Sequence, residues 1–486
     1  IRIGLGLAVL VLLALGMLAL VPSERVAAAV SAQFEGLTGR KMALTGDVKP
    51  RLWPTLGVTM GPVSIANADW AESGAPLFAA ESLSIDVNLG ALFGGEVKIT
   101  GLSAEAPAIN LERAADGREN WVFGSGETGG SAVPAPATGF TLDEGTIRGG
   151  SIRFADRASG REIALDGVEA TLAVPDYAGP FTLAAEGLSG GKRVALDLSG
   201  GVFSAFAAGR VVPLTVSLTA GGSTVAFDGR GGFSPVAAEG ALNADLSDLP
   251  ALGGLAGMAL AEPGPGLGRD RLSVTGQLTL DGSGAAFLRG AEIALDQNRI
   301  TGDLDLSPGD ARPKLKAQLT AGPLVIGSGE GAAATSGATG TEGWPTEVID
   351  VSALAALDAE VSLAAPSVDL GVLTLGETRA LITLDRSRAV IDLRQVAAYG
   401  GLISGDFVVN GRGGLSVGGR LSLSGLAMQP LLADLADWDR LISTGDLELE
   451  FLGIGNSIAE IMAGLGGQGA VTLGKGELRG LDITGM

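Results

Sequence analysis

Apolar and polar residues alternate with a period of two at widely separated places in this chain, and that pattern commits it to β-strands. Leu83, Ile85, Val87 and Leu89 alternate with Ser84, Asp86 and Asn88. The segments LTVSL (Leu214, Val216, Leu218), LKAQL (Leu315 to Leu319), RLSLSGL (Leu421, Leu423) and DLELE (Leu447, Leu449) repeat it. Successive side chains of a strand point to opposite faces, so each segment has one apolar and one wet face, as in antiparallel sheet. Gly-containing pairs such as Asp228-Gly229 and Asn410-Gly411 read as turns between strands.

Strands of this kind hide their apolar face in a sandwich, a closed barrel or a curled sheet. Composition favours the last. Of 486 residues, 78 are Gly and only 21 are Phe, Trp or Tyr, whereas sandwich cores lean on large aromatics. Roughly 25 strands in one twisted sheet, at ~4.8 Å each, would extend ~120 Å. Such a hydrophobic groove exposes more apolar surface than a monomer tolerates unless something fills it.

Helices are few. Val26, Val30, Phe34 and Leu37 share one helical face, and Gly39 ends it. Ser457-x-x-Glu460 is a capping box ahead of an Ile458, Ile461, Met462, Leu465 stripe that stops at Gly466-Gly467. A Leu432, Leu435, Trp438 stripe marks a shorter helix. Both read as short helices packed on the sheet, with a plug docking a partner or membrane as the alternative.

The first residues carry a different signal. Ile3 to Val21 is nineteen residues without a charge, with Ile3, Leu10, Leu13, Leu20 and Val21 among its apolar side chains. As a helix it spans ~28 Å, about one hydrocarbon core, so residues 1–22 read as a single-pass transmembrane anchor closed by Pro22. A cleaved signal peptide is the rival, because Ala27-Ala28-Ala29 offers small residues, but its apolar region runs only about 7–15 residues. Arg2 precedes the segment while Glu24 and Arg25 cancel after it, which places residues 23–486 outside the cytoplasm. Without an initiator Met, and ending at Met486, the sequence reads as part of a longer protein. Beyond the anchor we expect a β region with the first helix at 23–123, a linker at 124–138, central sheet at 139–326, a second linker at 327–345 and a C-terminal β region at 346–486, truncated at its end. The linkers are GSGETGGSAVPAPAT and, over 327–343, GSGEGAAATSGATGTEG.

Chemical motifs are mostly excluded by what is missing. With no Cys and no His, thiol chemistry and the usual general base and metal ligand are absent. Net charge −21 argues against nucleic acid. Gly187-Leu188-Ser189-Gly190-Gly191 and Gly414-Leu415-Ser416-Val417-Gly418 match G-x-S-x-G, but no His activates either Ser. Ser189 and Lys192 match S-x-x-K, which needs a helical turn that Gly190-Gly191 disfavours. Gly464, Gly466 and Gly469 match G-x-G-x-x-G after a helix and before a strand, the reverse of a dinucleotide site; Gly124, Gly126 and Gly129 match it within a linker. Asp303 with Asp305 lies on one strand face, and Asp434, Asp437 and Asp439 lack EF-hand spacing. We therefore expect no catalytic residues, no metal and no cofactor.

Leu37 to Trp70, LTGRKMALTGDVKPRLWPTLGVTMGPVSIANADW, resembles the N-terminal signature of the AsmA family of bacterial envelope proteins. Leu83 to Phe123, Arg379 to Asn410 with its Tyr399-Gly400-Gly401, and Gly445 to Ile483 are also similar to that family's pattern. The resemblance implies an inner-membrane anchored protein whose bulk lies in the periplasm as long twisted β-sheet, similar to bridge-type lipid-transfer proteins that conduct phospholipid between membranes. It brings no catalytic motif.

The expected function is thus binding of phospholipid acyl chains in a sheet groove, supporting lipid transport and outer-membrane assembly. Leu83, Ile85, Val87, Leu89, Leu214, Val216, Leu218, Leu421 and Leu423 are the candidate groove residues. The alternative is a non-enzymatic scaffold that binds outer-membrane or periplasmic assembly proteins through exposed strand edges.

Overall fold

The structure, a computed structural model, describes residues 31–32, 34–36, 38–51, 56–88, 99–122, 142–258, 260, 262–264, 266–309, 312–326, 344–371 and 373–480. The anchor residues Ile3, Leu10, Leu13, Leu20 and Val21, groove residue Leu89, and the segments 124–138 and 327–343 lie outside them. No helix among the described residues is long and apolar enough to cross a membrane. The described chain is mostly β and divides into two units, residues 1–234 with 248–261 and residues 235–247 with 262–486.

In the first unit, residues 34–36 and 38 are helical and Gly39, at φ +72°, ends the helix as its sequence requires. The strands that follow are β1 (Met42–Leu44), β2 (Val48–Arg51), β3 (Leu56–Met60), β4 (Val63–Ile65), β5 (Phe78–Ala80), β6 (Ser82–Val87), β7 (Ile99–Glu105) and β8 (Ala108–Arg113). They act in pairs. β2-β3-β6-β7 pair along one side of a line, β1-β4-β5-β8 along the other, and the long strand β9 (Leu142–Asp156) joins β7 by its first half and β8 by its second. The line is a crease where backbone irregularities align: Thr45 N–H donates to Pro62 O, Glu81 N–H to Glu105 O and Ala106 N–H to Arg148 O. Gly149, at φ +62°, carries it into β9. Bulges of this type turn a sheet, and Met60, Val63, Ala80 and Ala104 beside the crease are buried. The ladder continues antiparallel through β10 (Arg161–Val174), β11 (Phe181–Ser189), β12 (Lys192–Gly200), β13 (Val212–Ala220) and β14 (Ser223–Phe233). Two short helices, α1 (Phe203–Ala207) and α2 (Leu249–Leu255), belong to this unit.

The second unit holds one long ladder of β15 (Val236–Asp245), β16 (Leu272–Leu280), β17 (Ala286–Leu295), β18 (Asn298–Ser307), β19 (Lys314–Ala321), β21 (Asp358–Ala365), β24 (Thr378–Asp385), β25 (Arg388–Ala398), β26 (Gly401–Asn410), β27 (Ser416–Ala427), β29 (Thr444–Ile454) and β30 (Gly466–Leu473). Short strands β20 (Leu324–Val325), β22 (Val368–Asp369) and β23 (Thr374–Leu375) form a small sheet, and β28 (Leu441–Ile442) pairs with β31 (Glu477–Leu478). Its helices are α3 (Met428–Ala436) and α4 (Ile458–Ala463).

Four details correct the sequence reading. The sheet is mixed, not purely antiparallel: β9 runs parallel to β7 and β8, and β19 runs parallel to β21. Parallel neighbours need a long connection, and the chain supplies one at each place, through 124–138 and through 327–343. Asp228-Gly229 is no turn but lies inside β14, where Gly229 faces Leu214 across the ladder. Trp438 falls outside α3, which ends when Asp437 turns left-handed at φ +50°. Leu465 falls outside α4; Ser457 Oγ accepts from Glu460 N–H as the capping box predicts, while the Glu460 carboxylate reaches past it to Asn456 N–H.

Candidate lipid-binding face

Strand register turns scattered alternation into continuous rows. In the first unit, direct cross-strand partners run Met60, Leu83, Ala104, Ile147, Ala170, Ala185, Leu196, Leu218, Val225, spanning nine strands from β3 to β14. The neighbouring row runs Val58, Ile85, Leu102, Gly145, Leu172, Leu183, Leu198, Val216, Phe227. Eight steps between strands make each row about 38 Å long. Leu83 and Ile85 therefore share one apolar face with Leu218 and Val216, although some 130 residues separate them. Val87 pairs with Leu56, one register position further along. Between the apolar rows the opposite face carries Thr59, Ser84, Ser103, Thr146 and Thr171 in its own row, which water solvates.

Burial along the strands shows where this face is covered. On β11 and β13 the first and last residues, Phe181, Ser189, Val212 and Ala220, are buried, while the same-face residues between them are half-buried. At one end α1 lays Phe203 and Phe206 over Leu142, Val174 and Phe181, with Leu172, Leu198 and Leu214 packed alongside. Tyr177 and Phe233 extend this cluster edge-on, which brings five of the chain's 21 aromatics together at one end of the face. Leu214 thus belongs to a covered end. Gly200 is required there, because a Cβ would stand 2.1 Å from the Phe181 ring. Gly200→Val is expected to cost about 1–3 kcal/mol by overpacking, read as a lowered urea midpoint; an unchanged midpoint would show that the ring yields.

At the other end α2 lays Ala251, Leu252 and Leu255 over Val194, Ala220 and Leu218. A polar clasp fixes it. Asp248, its N-cap, accepts from Ala251 N–H at 3.1 Å and from Lys192 Nζ at 2.6 Å, and Asp248 N–H donates to the buried Ser223 Oγ. The Lys192 ammonium holds the Asp248 carboxyl below the ordinary carboxylate range against the push of burial, helped by Ala251 and Gly222 N–H groups. The S-x-x-K pair is accounted for by this clasp: Ser189 and Lys192 face each other at a hairpin end, and the Lys amine serves Asp248.

The second unit builds the same kind of face. Its rows run Leu278, Leu288, Leu304, Ala317, Val361, Ile382, Ile391, Phe407, Gly419, Phe451 and, beside them, Leu319, Leu363, Ala380, Leu393, Gly405, Leu421, Leu449. Leu421 lies in the second of these rows and packs against the cluster beneath α3. Leu423 is buried beneath α3, with Leu426, Met428 and Leu431, and so lines its covered end. Asp303 and Asp305 stand on the opposite, wet face, as their spacing predicts; Asp305 pairs with Arg289. Asp434 accepts from Tyr399 Oη at 2.9 Å, and burial, then this carboxylate, pushes the phenol up to about 12.

The motifs that carried the family resemblance converge on structure rather than on a site. Asn120, fully buried, donates to Asn67 Oδ1 and Asn110 O, accepts from Glu112 N–H, and its carbonyl accepts from the Arg40 guanidinium. Buried Glu112 accepts from Glu72 N–H and Ser73 N–H, both at 3.0 Å, and from Arg157 Nε at 3.1 Å. Burial pushes its carboxyl up, but these three donors together hold it below the usual range. Arg118 stacks over Trp70 at 5.0 Å. Thr38-Gly39-Arg40, Asn67-Ala68-Asp69-Trp70 and Arg118-Glu119-Asn120, all within the stretches quoted above, are therefore parts of one polar knot that pins the 66–76 segment to β8. Tyr399-Gly400 is the left-handed turn joining β25 to β26, with φ +47° and +77°.

The AsmA family model matches residues 3–196, a stretch that runs from the apolar N-terminal segment into β12. The match extends further into the middle of the chain than the motifs quoted above, and the C-terminal stretches from Arg379 onward lie beyond it. No curated protein and no solved structure matches the chain. The residues 3–196 that match the AsmA family model hold the polar knot, the crease and the first apolar face as far as β12.

Proposed function

We propose that this chain is a non-enzymatic protein of the bacterial envelope, anchored in the inner membrane by Ile3 to Val21, whose periplasmic sheets bind phospholipid acyl chains and support lipid transport and outer-membrane assembly. The observation that carries this reading is the pair of apolar rows crossing nine strands, most of their residues half-buried and none with a hydrogen-bonding side chain. Burial at ~25 cal/mol per Å² favours hydrocarbon there without any polar contact, so headgroup selectivity is expected to be weak. An envelope scaffold is the second reading. It is favoured by β30, which pairs only with β29 among the described residues and exposes Val471 and Leu473, an edge suited to strand addition.

The test is the full chain purified in mild detergent, analysed by native mass spectrometry and lipid extraction. Several phospholipids of mixed headgroup per chain are expected. A lipid-free protein would refute the lipid reading and leave the scaffold, to be pursued by crosslinking to envelope partners.

A further inference from the structure

We infer that the wet face of the second unit's last strands is a docking surface for a protein segment that is basic at one end and apolar at the other. The inference does not draw on the lipid reading, because it concerns the opposite face of the sheet.

β29 changes chemistry halfway along that face. Asp446, Glu448 and Glu450 project from its first half, and Leu452 and Ile454 from its second. α4 packs on the other face, where a Cβ on Gly453 would stand 2.7 Å from Ile461 Cγ2, and so leaves these two side chains uncovered. Leu452 is 53% and Ile454 64% exposed. The patch continues past the end of the strand. Ile349 N–H donates to Asn456 O at 2.8 Å, and Ala459 N–H donates to Pro345 O at 2.9 Å. With Val348 bridged to Ser457, these bonds set the exposed Trp344 and Val348 beside the turn that follows Ile454. Exposed apolar side chains gathered in this way, with a polar rim, mark an interaction site.

Charge selects the occupant. Asp406, Glu448 and Glu450 border the patch on the sheet, and the exposed Glu347 and Asp350 border it along the 344–350 segment. Against these five carboxylates stand two guanidinium groups, Arg388 and Arg420, which line the surface beside Leu452. A second copy of the chain would bring the same carboxylates and a net charge of −21 to the contact, and an anionic bilayer would be repelled likewise. A segment with Lys or Arg ahead of an apolar stretch complements both halves of β29. Its size follows from the strand. Glu448 to Ile454 spans about 20 Å, the length of a helix of about 14 residues. The neighbouring strands leave room for it: Ser416, Gly418 and Ser422 of β27 face Ile454, Leu452 and Glu448, while Gly466 and Ala470 of β30 face Leu452 and Glu448. Gly418 also opens a depression of about 240 Å³ between Val408 and Leu452, which suits one large apolar side chain of the partner.

The test measures, by fluorescence anisotropy against a detergent blank, binding of a synthetic peptide to the full chain in mild detergent. The peptide has about 14 residues, Lys-rich in its first half and Leu-rich in its second. Leu452→Ser with Ile454→Ser, and separately Glu448→Gln with Glu450→Gln, are each expected to weaken binding about tenfold. Circular dichroism should not change, because all four side chains are exposed. Asp197→Asn with Asp228→Asn removes the same charge from exposed positions of the first unit and is expected to bind as the wild type does. The peptide with Glu in place of Lys is expected not to bind. Equal affinity in the wild type and both patch variants overturns the proposal. So does an equal loss in the Asp197, Asp228 variant, which would reduce the attraction to net charge. Loss of bound phospholipid in the Leu452, Ile454 variant would assign the patch to lipid, and a wild-type dimer that this variant dissociates would assign it to a second copy; either result overturns the proposal as well.

Discussion

A chain carrying Leu196→Asp and Val216→Asp is expected to retain at least tenfold less phospholipid than the wild type while keeping its sheet. The two residues sit on neighbouring strands, one in each apolar row, and neither belongs to a buried cluster. Both are half-buried, so a carboxylate at either site has water in the empty protein and the fold loses little. Once hydrocarbon covers the face, each carboxylate is deprived of water without a partner, a cost of several kcal/mol. A tenfold loss needs only ~1.4 kcal/mol, so the effect on lipid exceeds the effect on folding. Ser217→Asp, one residue along on the wet face, is the control and should bind as the wild type does. Lipid extraction together with circular dichroism reads both quantities. Equal lipid in the double variant and the wild type would remove this face from consideration.

The largest stability effect is expected at Glu112. Glu112→Ala leaves the N–H groups of Glu72 and Ser73 and the Arg157 guanidinium without their acceptor in a buried setting, and about 3 kcal/mol of local stability should go with them. Because the folded-state pKa of Glu112 is depressed, its contribution is present above the ordinary carboxylate pKa, about 4.3. It is lost as pH falls through the lower folded value. Hydrogen exchange at Glu72 and Ser73 is the local measurement. Protection in the wild type should fall on acidification below that ordinary value, and in Glu112→Gln it should start lower and depend less on pH. Equal protection in wild type and both variants would show that the 66–76 segment is held by other contacts.

Particular residues show how far the sequence carries. Strands were legible wherever alternation survived: LTVSL became β13, LKAQL β19 and RLSLSGL part of β27. Asp228-Gly229 misled because the same pair that closes a hairpin also serves inside a strand, where Gly229 faces Leu214 in the ladder. Trp438 misled because helical spacing continues past a left-handed residue that no apolar stripe reveals. Leu214 and Leu423 stand on apolar faces but at covered ends, because the short helix next to each one's own strand folds back over it, which alternation within the strand does not reveal. The polar knot was visible only as a family phrase, because Arg40, Asn67, Glu112 and Asn120 meet through contacts spanning tens of residues.

The sequence by itself determined that this chain forms strands with one apolar face, lacks the residues of thiol and histidine chemistry, and carries the AsmA pattern at its N-terminus. Those properties are local, written in period, composition and short motifs. Only the tertiary structure decided that Leu83 and Leu218 stand in one row, that β9 and β21 each have a parallel neighbour, and that α1 and α2 cover the two ends of the first face. Register and coverage are relations between distant segments. A one-residue slip would turn every apolar side chain to water, so packing of the whole sheet selects the pairing that alternation alone leaves open.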